Sequence, residues 1–369
     1  MANKKYNFGA GPCILPDIVL NGASDAVKDY NRTGISILEI SHRSSEFENV
    51  IHECQSLVRE LLAVPDNYSI LFLQGGASTQ FSMVPMCLMQ QHKRASYLDT
   101  GYFSLKAIAE ARLFGPVHIV ASSKDSDYDH IPYDYYIPGD SAYFHCTSNN
   151  TIEGTEIFTF PETDVPVVCD MSSDIFSRQI NVADFDLIYA GAQKNIGPAG
   201  LTLVIVKKAL LQRIENLIPS MSDYRIYEAH NSMFNTPPVF SIYVAMLNLR
   251  WLKGIGGVKQ AEQNNIAKAN LLYDVIDSSD YFYGLADNPD RSRMNVTFKM
   301  YNRERENEFL NFTESRGILG INGYRSIGGF RASLYNAMEI SGVEALVECM
   351  TDFMSKDQFK SFKLKSNTI

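Results

Sequence analysis

The stretch Asp184-Phe-Asp-Leu-Ile-Tyr-Ala-Gly-Ala-Gln-Lys-Asn-Ile-Gly-Pro-Ala-Gly200 runs from an apolar strand, Leu187 to Ala190, into a turn of small residues. A second apolar strand, Leu201 to Val206, follows directly. The one charge in that turn is Lys194, and Gly191, Ala192, Gly197, Ala199 and Gly200 leave room for a bulky group against its side chain. An amine with little water around it gives up its proton more readily, the condition for attack on a carbonyl. The same residues also describe a plain turn lysine between two buried strands, so the flanking chain must separate the two readings.

Working outward, strand and helix signals alternate: Ile70–Leu73, Ala95–Leu98, a helix from Phe103 to Phe114, Val117–Ala121, Ala142–His145, Val165–Cys169, then the two strands above. Seven such strands predict an α/β fold with a mostly parallel sheet flanked by helices, its ligands at the carboxyl ends of the strands. Val165-Pro-Val-Val-Cys-Asp170 ends in a carboxylate, and Asp170 and Lys194 close two successive strands, so both are expected in one crevice. Gln74-Gly-Gly-Ala-Ser-Thr79 is a glycine turn opening a helix, where free backbone N–H groups cradle an anion. It is neither a Walker loop nor a dinucleotide fingerprint. A lysine, a carboxylate and a phosphate cradle around a flat ring are what pyridoxal 5'-phosphate (PLP) requires.

Length and composition set the frame. A chain of 369 residues exceeds one ordinary core. The break at Gly254-Ile-Gly-Gly257 predicts an N-terminal segment (1–15), a large domain (16–256) and a smaller α+β C-terminal domain (257–369). A helix is expected near 17–32, another from Phe47 to Leu62, one beginning with Thr236 as N-cap, and one opened by a capping box at Ser341–Glu344. The net charge of -9, with no basic stripe, argues against nucleic acid. Six cysteines without a CxxC pair, no apolar segment behind Lys4-Lys5 and no bilayer-length apolar run predict a cytoplasmic protein. His42 and Arg43 precede a helix, and Arg325 and Arg331 lie on a glycine-rich segment; each is a candidate anion reader or a solvated charge.

Asn7-Phe-Gly-Ala-Gly-Pro12, Ser41-His-Arg43, Ala190–Gly200, Ser232-Met-Phe-Asn-Thr-Pro-Pro238, Arg291-Ser-Arg-Met-Asn-Val296 and Gly329-Phe-Arg-Ala-Ser-Leu-Tyr-Asn-Ala337 resemble the phosphoserine aminotransferases. These are class-V, fold-type I, PLP-dependent enzymes, and the resemblance runs nearly end to end. It implies a homodimer that converts 3-phosphohydroxypyruvate and glutamate into O-phosphoserine and 2-oxoglutarate in serine biosynthesis. A further candidate substrate is 4-phosphohydroxythreonine, a precursor of pyridoxine. It implies Lys194 as the Schiff-base lysine and Asp170 as partner of the pyridinium nitrogen. Ala77, Ser78 and Gln193 would hold the phosphate, Thr151 the ring-oxygen side, and Phe103 would stack on the ring. Asn235 and Thr236 would reach the neighbouring subunit's cofactor phosphate. Arg43 and Arg331, with His42 and Arg325, would read substrate carboxylate and phosphate. Phe103 stands where the family often has Trp, Ser78 where some members have Arg, and Tyr324 where some have His. The competing readings are a cysteine desulfurase-like lyase, which needs a thiol on a mobile loop, and a PLP-binding module without catalysis. No metal is expected.

Overall fold

Seven strands form the central sheet: β1 (Tyr68–Leu73), β2 (Ala95–Asp99), β3 (Val117–Ser122), β4 (Phe144–Thr147), β5 (Val167–Asp170), β6 (Leu187–Gly191) and β7 (Thr202–Lys207). Their spatial order is β1-β7-β6-β5-β4-β2-β3. This computed structural model describes residues 5–89, 93–215, 217–325 and 327–366, with side chains to 356 in the last segment. Residues 1–4 of the expected N-terminal segment, Ser326, and residues 367–369 of the expected C-terminal domain lie outside the described residues.

The five strands from β3 to β6 in that order pair in parallel, whereas β7 runs antiparallel to both β6 and β1. The reason is local. Only the loop 192–201 joins β6 to β7, closed by Ala192 N–H donating to the Leu201 carbonyl at 2.9 Å. A parallel return needs a crossover of a dozen residues or more, so a loop this short forces a reversal. The central strands are buried on both faces, which is why they read as continuous apolar runs rather than alternating ones. One core packs Ile188, Leu203 and Ile205 under the helices α2 (Ser45–Leu61) and α5 (Val239–Gly254). The opposite core packs Tyr189, Val204 and Val206 with the helices α3 (Gly76–Leu88) and α4 (Tyr102–Ala111).

A third core is built on the antiparallel sheet of β8 (Phe282–Gly284), β9 (Asn295–Met300) and β10 (Phe330–Ser333), with β9 in the middle. The helices α6 (Gly257–Asp277) and α7 (Ile340–Ser366) contribute to it. Phe8 from the start of the chain is buried there too. Among the described residues, no helix is long and apolar enough to cross a membrane.

Three local expectations are corrected. The helix expected at 17–32 is α1 (Asp17–Lys28) followed by a short 3-10 turn. Thr236 does not cap α5; the helix starts at Val239 with Pro238 as cap. A residue before proline is pushed into extended backbone, so Pro237 and Pro238 together delay the first helical turn. Ser341 lies inside the first turn of α7, its hydroxyl donating to Glu339 Oε2 at 3.3 Å, so no capping box forms.

Candidate active site

Lys194 leaves the end of β6 and is buried in the 192–201 loop. Its Nζ donates to Thr151 Oγ1 at 2.6 Å and lies 5.5 Å from the centre of the Phe103 ring. Burial pulls its pKa down to about 8, against the opposing pull of Asp170; Arg331 lowers it further. The loop carrying it is anchored from below. Asn248 Nδ2 donates to the carbonyls of Asn195 and Ile196 at 2.9 and 3.0 Å, and Gly197 sits against Ala245, where a Cβ would meet backbone at 3.3 Å.

Asp170 ends β5, one strand over, and Oδ1 accepts from Ser172 N–H at 2.9 Å. Burial raises its pKa, while the Ser172 contacts and the Lys194 charge work against that rise. Gly75 and Gly76 have φ of 94° and 68°, the left-handed region that favours glycine. They turn the chain from β1 into α3 so that Ala77 and Ser78 form its first turn, whose N–H groups have no intrahelical acceptor.

These parts enclose a cavity of about 430 Å³. Gly75, Gly76, Ala77, Ser78, Phe103, Thr151, Asp170, Gln193 and Lys194 all line it. Lys194 is the one amine among the described residues lining it. The arrangement joins a buried amine, a buried carboxylate, an aromatic face and a helix N-terminus in a single pocket, which suits a flat, phosphorylated aldehyde.

Residues 5–346 match the family description of the class-V aminotransferases. The chain belongs to the class-V aminotransferases. This aminotransferase is 54% identical to the phosphoserine aminotransferase of Flavobacterium johnsoniae over 354 residues, spanning 96% of this chain and 99% of that one. Its fold superposes on the phosphoserine aminotransferase of Bacillus circulans subsp. alkalophilus with a TM-score of 0.94 and 44% identity, covering 96% and 99% of the two chains. The PLP-bound phosphoserine aminotransferase of Trichomonas vaginalis gives 0.91 and 37%, covering 94% and 100%.

The remaining residues expected at the site are not among those lining the pocket. Arg331, on β10, reaches in from the small sheet: Nη1 donates to the Thr151 carbonyl at 3.4 Å, and Nε is buried without a partner. Arg325 is exposed on the loop before β10, and His42 and Arg43, half-buried and exposed, precede α2. Asn235 is half-buried and Thr236 exposed, but the Thr236 carbonyl accepts from Gln74 Nε2 at 2.9 Å, which ties this segment beside the glycine turn of its own chain.

Several contributors carried no legible signal in the sequence. Thr147, Asn149, Ser172 and Ser173 also line the pocket. Small polar residues at strand ends read as ordinary turn formers. Gly11 and Pro12 line it as well, and Cys13 N–H donates to the Gln193 carbonyl at 3.0 Å. The low polarity of residues 7–16 was the available hint that this loop packs against something.

Proposed function

We propose that this class-V aminotransferase is a phosphoserine aminotransferase that binds PLP and moves an amino group between glutamate and 3-phosphohydroxypyruvate. The observation that carries the reading is the buried Lys194 amine sharing one pocket with Asp170 and the glycine turn. The pocket fits the cofactor on its own evidence: Gly76 opens onto free space where a Cβ would sit, and the buried hydroxyl of Thr147 on its wall has no partner. When bound, PLP supplies an aldehyde that captures amines and a ring that accepts electrons from the adjacent carbon.

This chain's residues do the rest. Ala77, Ser78 and Gln193 would hold the phosphate at the N-terminus of α3. Phe103 would stack on the ring, and Thr151, which accepts from the lysine Nζ, would meet the ring-oxygen side. Asp170 keeps a proton on the ring nitrogen as a charge-assisted pair. Lys194 would be the base at the substrate Cα, and a pKa near 8 suits a group that takes and returns a proton near neutral pH. Arg331 reads the α-carboxylate, while His42, Arg43 and Arg325 read the distal carboxylate or phosphate. Discrimination then comes from cations left without an anion when the keto acid lacks phosphate.

A coupled assay with phosphorylated and dephosphorylated hydroxypyruvate at fixed glutamate tests this. The phosphorylated acid is expected to be preferred, and Arg331→Gln is expected to raise KM for both glutamate and the keto acid by roughly 10- to 150-fold, the range for one lost charge-assisted contact. Equal rates on the two keto acids would remove the phosphate from the reading.

The cysteine desulfurase-like alternative finds no thiol to use. Five cysteines are buried. Cys13, the half-buried one, donates to the Lys194 carbonyl, and burial pushes its pKa up to about 12. The thiols are all free, which fits a reducing cytoplasm.

The working unit in this reading is a homodimer in which Asn235 and Thr236 complete the neighbour's phosphate site. Exposed Ile18, Leu20, Ile35 and Leu38 leading up to His42 and Arg43 support a subunit contact there. Co-expressing a Lys194→Ala chain with an Asn235→Ala/Thr236→Ala chain is expected to restore one native site per mixed dimer. Recovery no better than the sum of the two single variants would sink the shared site.

A further inference from the structure

Arg331 is coupled by charge to a second group that has an unpartnered buried atom. Its own Nε is buried without a hydrogen bond, and so is Oε2 of Glu153, a residue only 5% exposed. The two charges act on one another, each favouring the other's ionised form, yet no hydrogen bond joins them.

The backbone holds Glu153 in this place from both sides. Its Oε1 accepts from Tyr102 N–H at 2.8 Å, at the first turn of α4 and next to Phe103. Its carbonyl accepts from Thr297 Oγ1 at 2.8 Å, and Thr297 is the register partner of Arg331 across β9 and β10. Gly154 allows this approach, since a Cβ there would lie 2.3 Å from Thr297 Oγ1. Thr151, which touches both Lys194 and Arg331, is two residues away.

We propose that Glu153 is the internal counter-charge of Arg331 and sets how tightly that arginine takes a substrate carboxylate, relaxing its pull when the Glu153 carboxyl carries a proton. The inference deepens the reading of Arg331 as carboxylate reader and rests on it. Glu153 is a positioning residue here, since it acts through Arg331. Ionised Glu153 offsets the guanidinium and competes with an incoming anion; neutral Glu153 leaves the guanidinium to the anion.

The surroundings set where that change falls. Burial, the largest influence, raises the Glu153 pKa to about 7; the Tyr102 N–H and the Arg331 charge oppose the rise, and the Asp99 charge adds to it. Tyr128 donates to Asp99 at 3.4 Å and also feels Glu153. Lys299, Asp127 and Asp129, with Tyr102 and Glu153 itself, line a cavity of about 480 Å³. An anion seated on Arg331 cancels the charge that favours ionised Glu153, so binding draws in a proton, and by reciprocity a proton on Glu153 tightens binding.

The test uses the cofactor-loaded enzyme in its amino form with 2-oxoglutarate, whose carboxylates stay ionised above pH 6. KM is measured from pH 6 to 9 for wild type and for Glu153→Gln, which keeps the acceptor for Tyr102 N–H. The ratio of wild-type KM to variant KM is expected to rise about tenfold across that range, one pKa unit of coupling. A ratio that stays constant would overturn the proposal. Glu153→Ala also loses the Tyr102 acceptor, and its kcat is expected to fall, separating support of α4 from control of charge. A second readout needs no variant. Calorimetry at pH 7 with glutarate, a dicarboxylate without the reactive keto group, in buffers of different ionisation enthalpy is expected to show fractional proton uptake by wild type, and zero uptake would overturn the proposal. Failure of the underlying reading looks different: Arg331→Gln would then leave KM unchanged, whatever Glu153 does.

Discussion

Replacing Lys194 with alanine is expected to abolish transamination while leaving the cofactor bound without a covalent link. The cavity offers no substitute, since no other amine lines it among the described residues. Loss of the positioned base alone costs roughly 10²- to 10⁴-fold in rate, and loss of covalent capture adds to that. The glycine turn, Asp170 and Phe103 remain, so the contacts proposed for the phosphate and the ring are kept. Single-turnover rates with glutamate, read beside cofactor retained through gel filtration, check both halves. Unfolding is not the expected cause of the loss. The lowered lysine pKa records that burying the charged amine costs free energy, so its removal takes away a penalty along with a hydrogen bond to Thr151. A thermal melt of the variant close to wild type, with turnover gone, is the expected pair of results. Wild-type turnover in Lys194→Ala would end the role assigned to this residue.

Asp170→Asn is the second large effect. Asparagine keeps the shape and can still accept from Ser172 N–H, which now meets Oδ1 at 2.9 Å. What it removes is the negative charge proposed to pair with the ring nitrogen, which is also the one that most strongly favours protonated Lys194. A charge-assisted hydrogen bond contributes about 1.5–3 kcal/mol, so kcat is expected to fall roughly 10- to 150-fold. KM for glutamate should move much less, because Asp170 touches cofactor rather than substrate in this reading. Steady-state kinetics at saturating cofactor separate the two, and an Asn variant with native kcat would show that the carboxylate has no electronic role.

The pocket wall was legible in the sequence wherever chemistry and chain geometry coincided. Lys194 stood out because a charge among glycines and alanines between two apolar strands is an uncommon combination. Asp170 stood out because it ended an apolar run one strand earlier, and in a parallel sheet successive strand ends meet. The glycine turn at Gly75 and Gly76 followed from the same logic. Thr236 was misread as a cap because the spacing rule for helix starts ignores what two consecutive prolines do to the backbone before them. The direction of β7 turned on the length of its connection, a detail that apolar runs do not encode.

Order of elements, their apolar faces and the residue types at strand ends are properties of the chain itself, and local sterics and hydrophobic patterning write them directly into the order of residues. That was enough to anticipate the α/β architecture and the meeting of Lys194 and Asp170 in one pocket. The meeting of Thr151, Arg331 and Glu153 is of another kind. It brings together residues 151 and 331 across a contact of 3.4 Å, through the packing of β9 and β10 against the loop after β4. Burial of these groups, and hence their protonation, depends on which surfaces exclude water once the chain has closed, and no local pattern of residues carries that information.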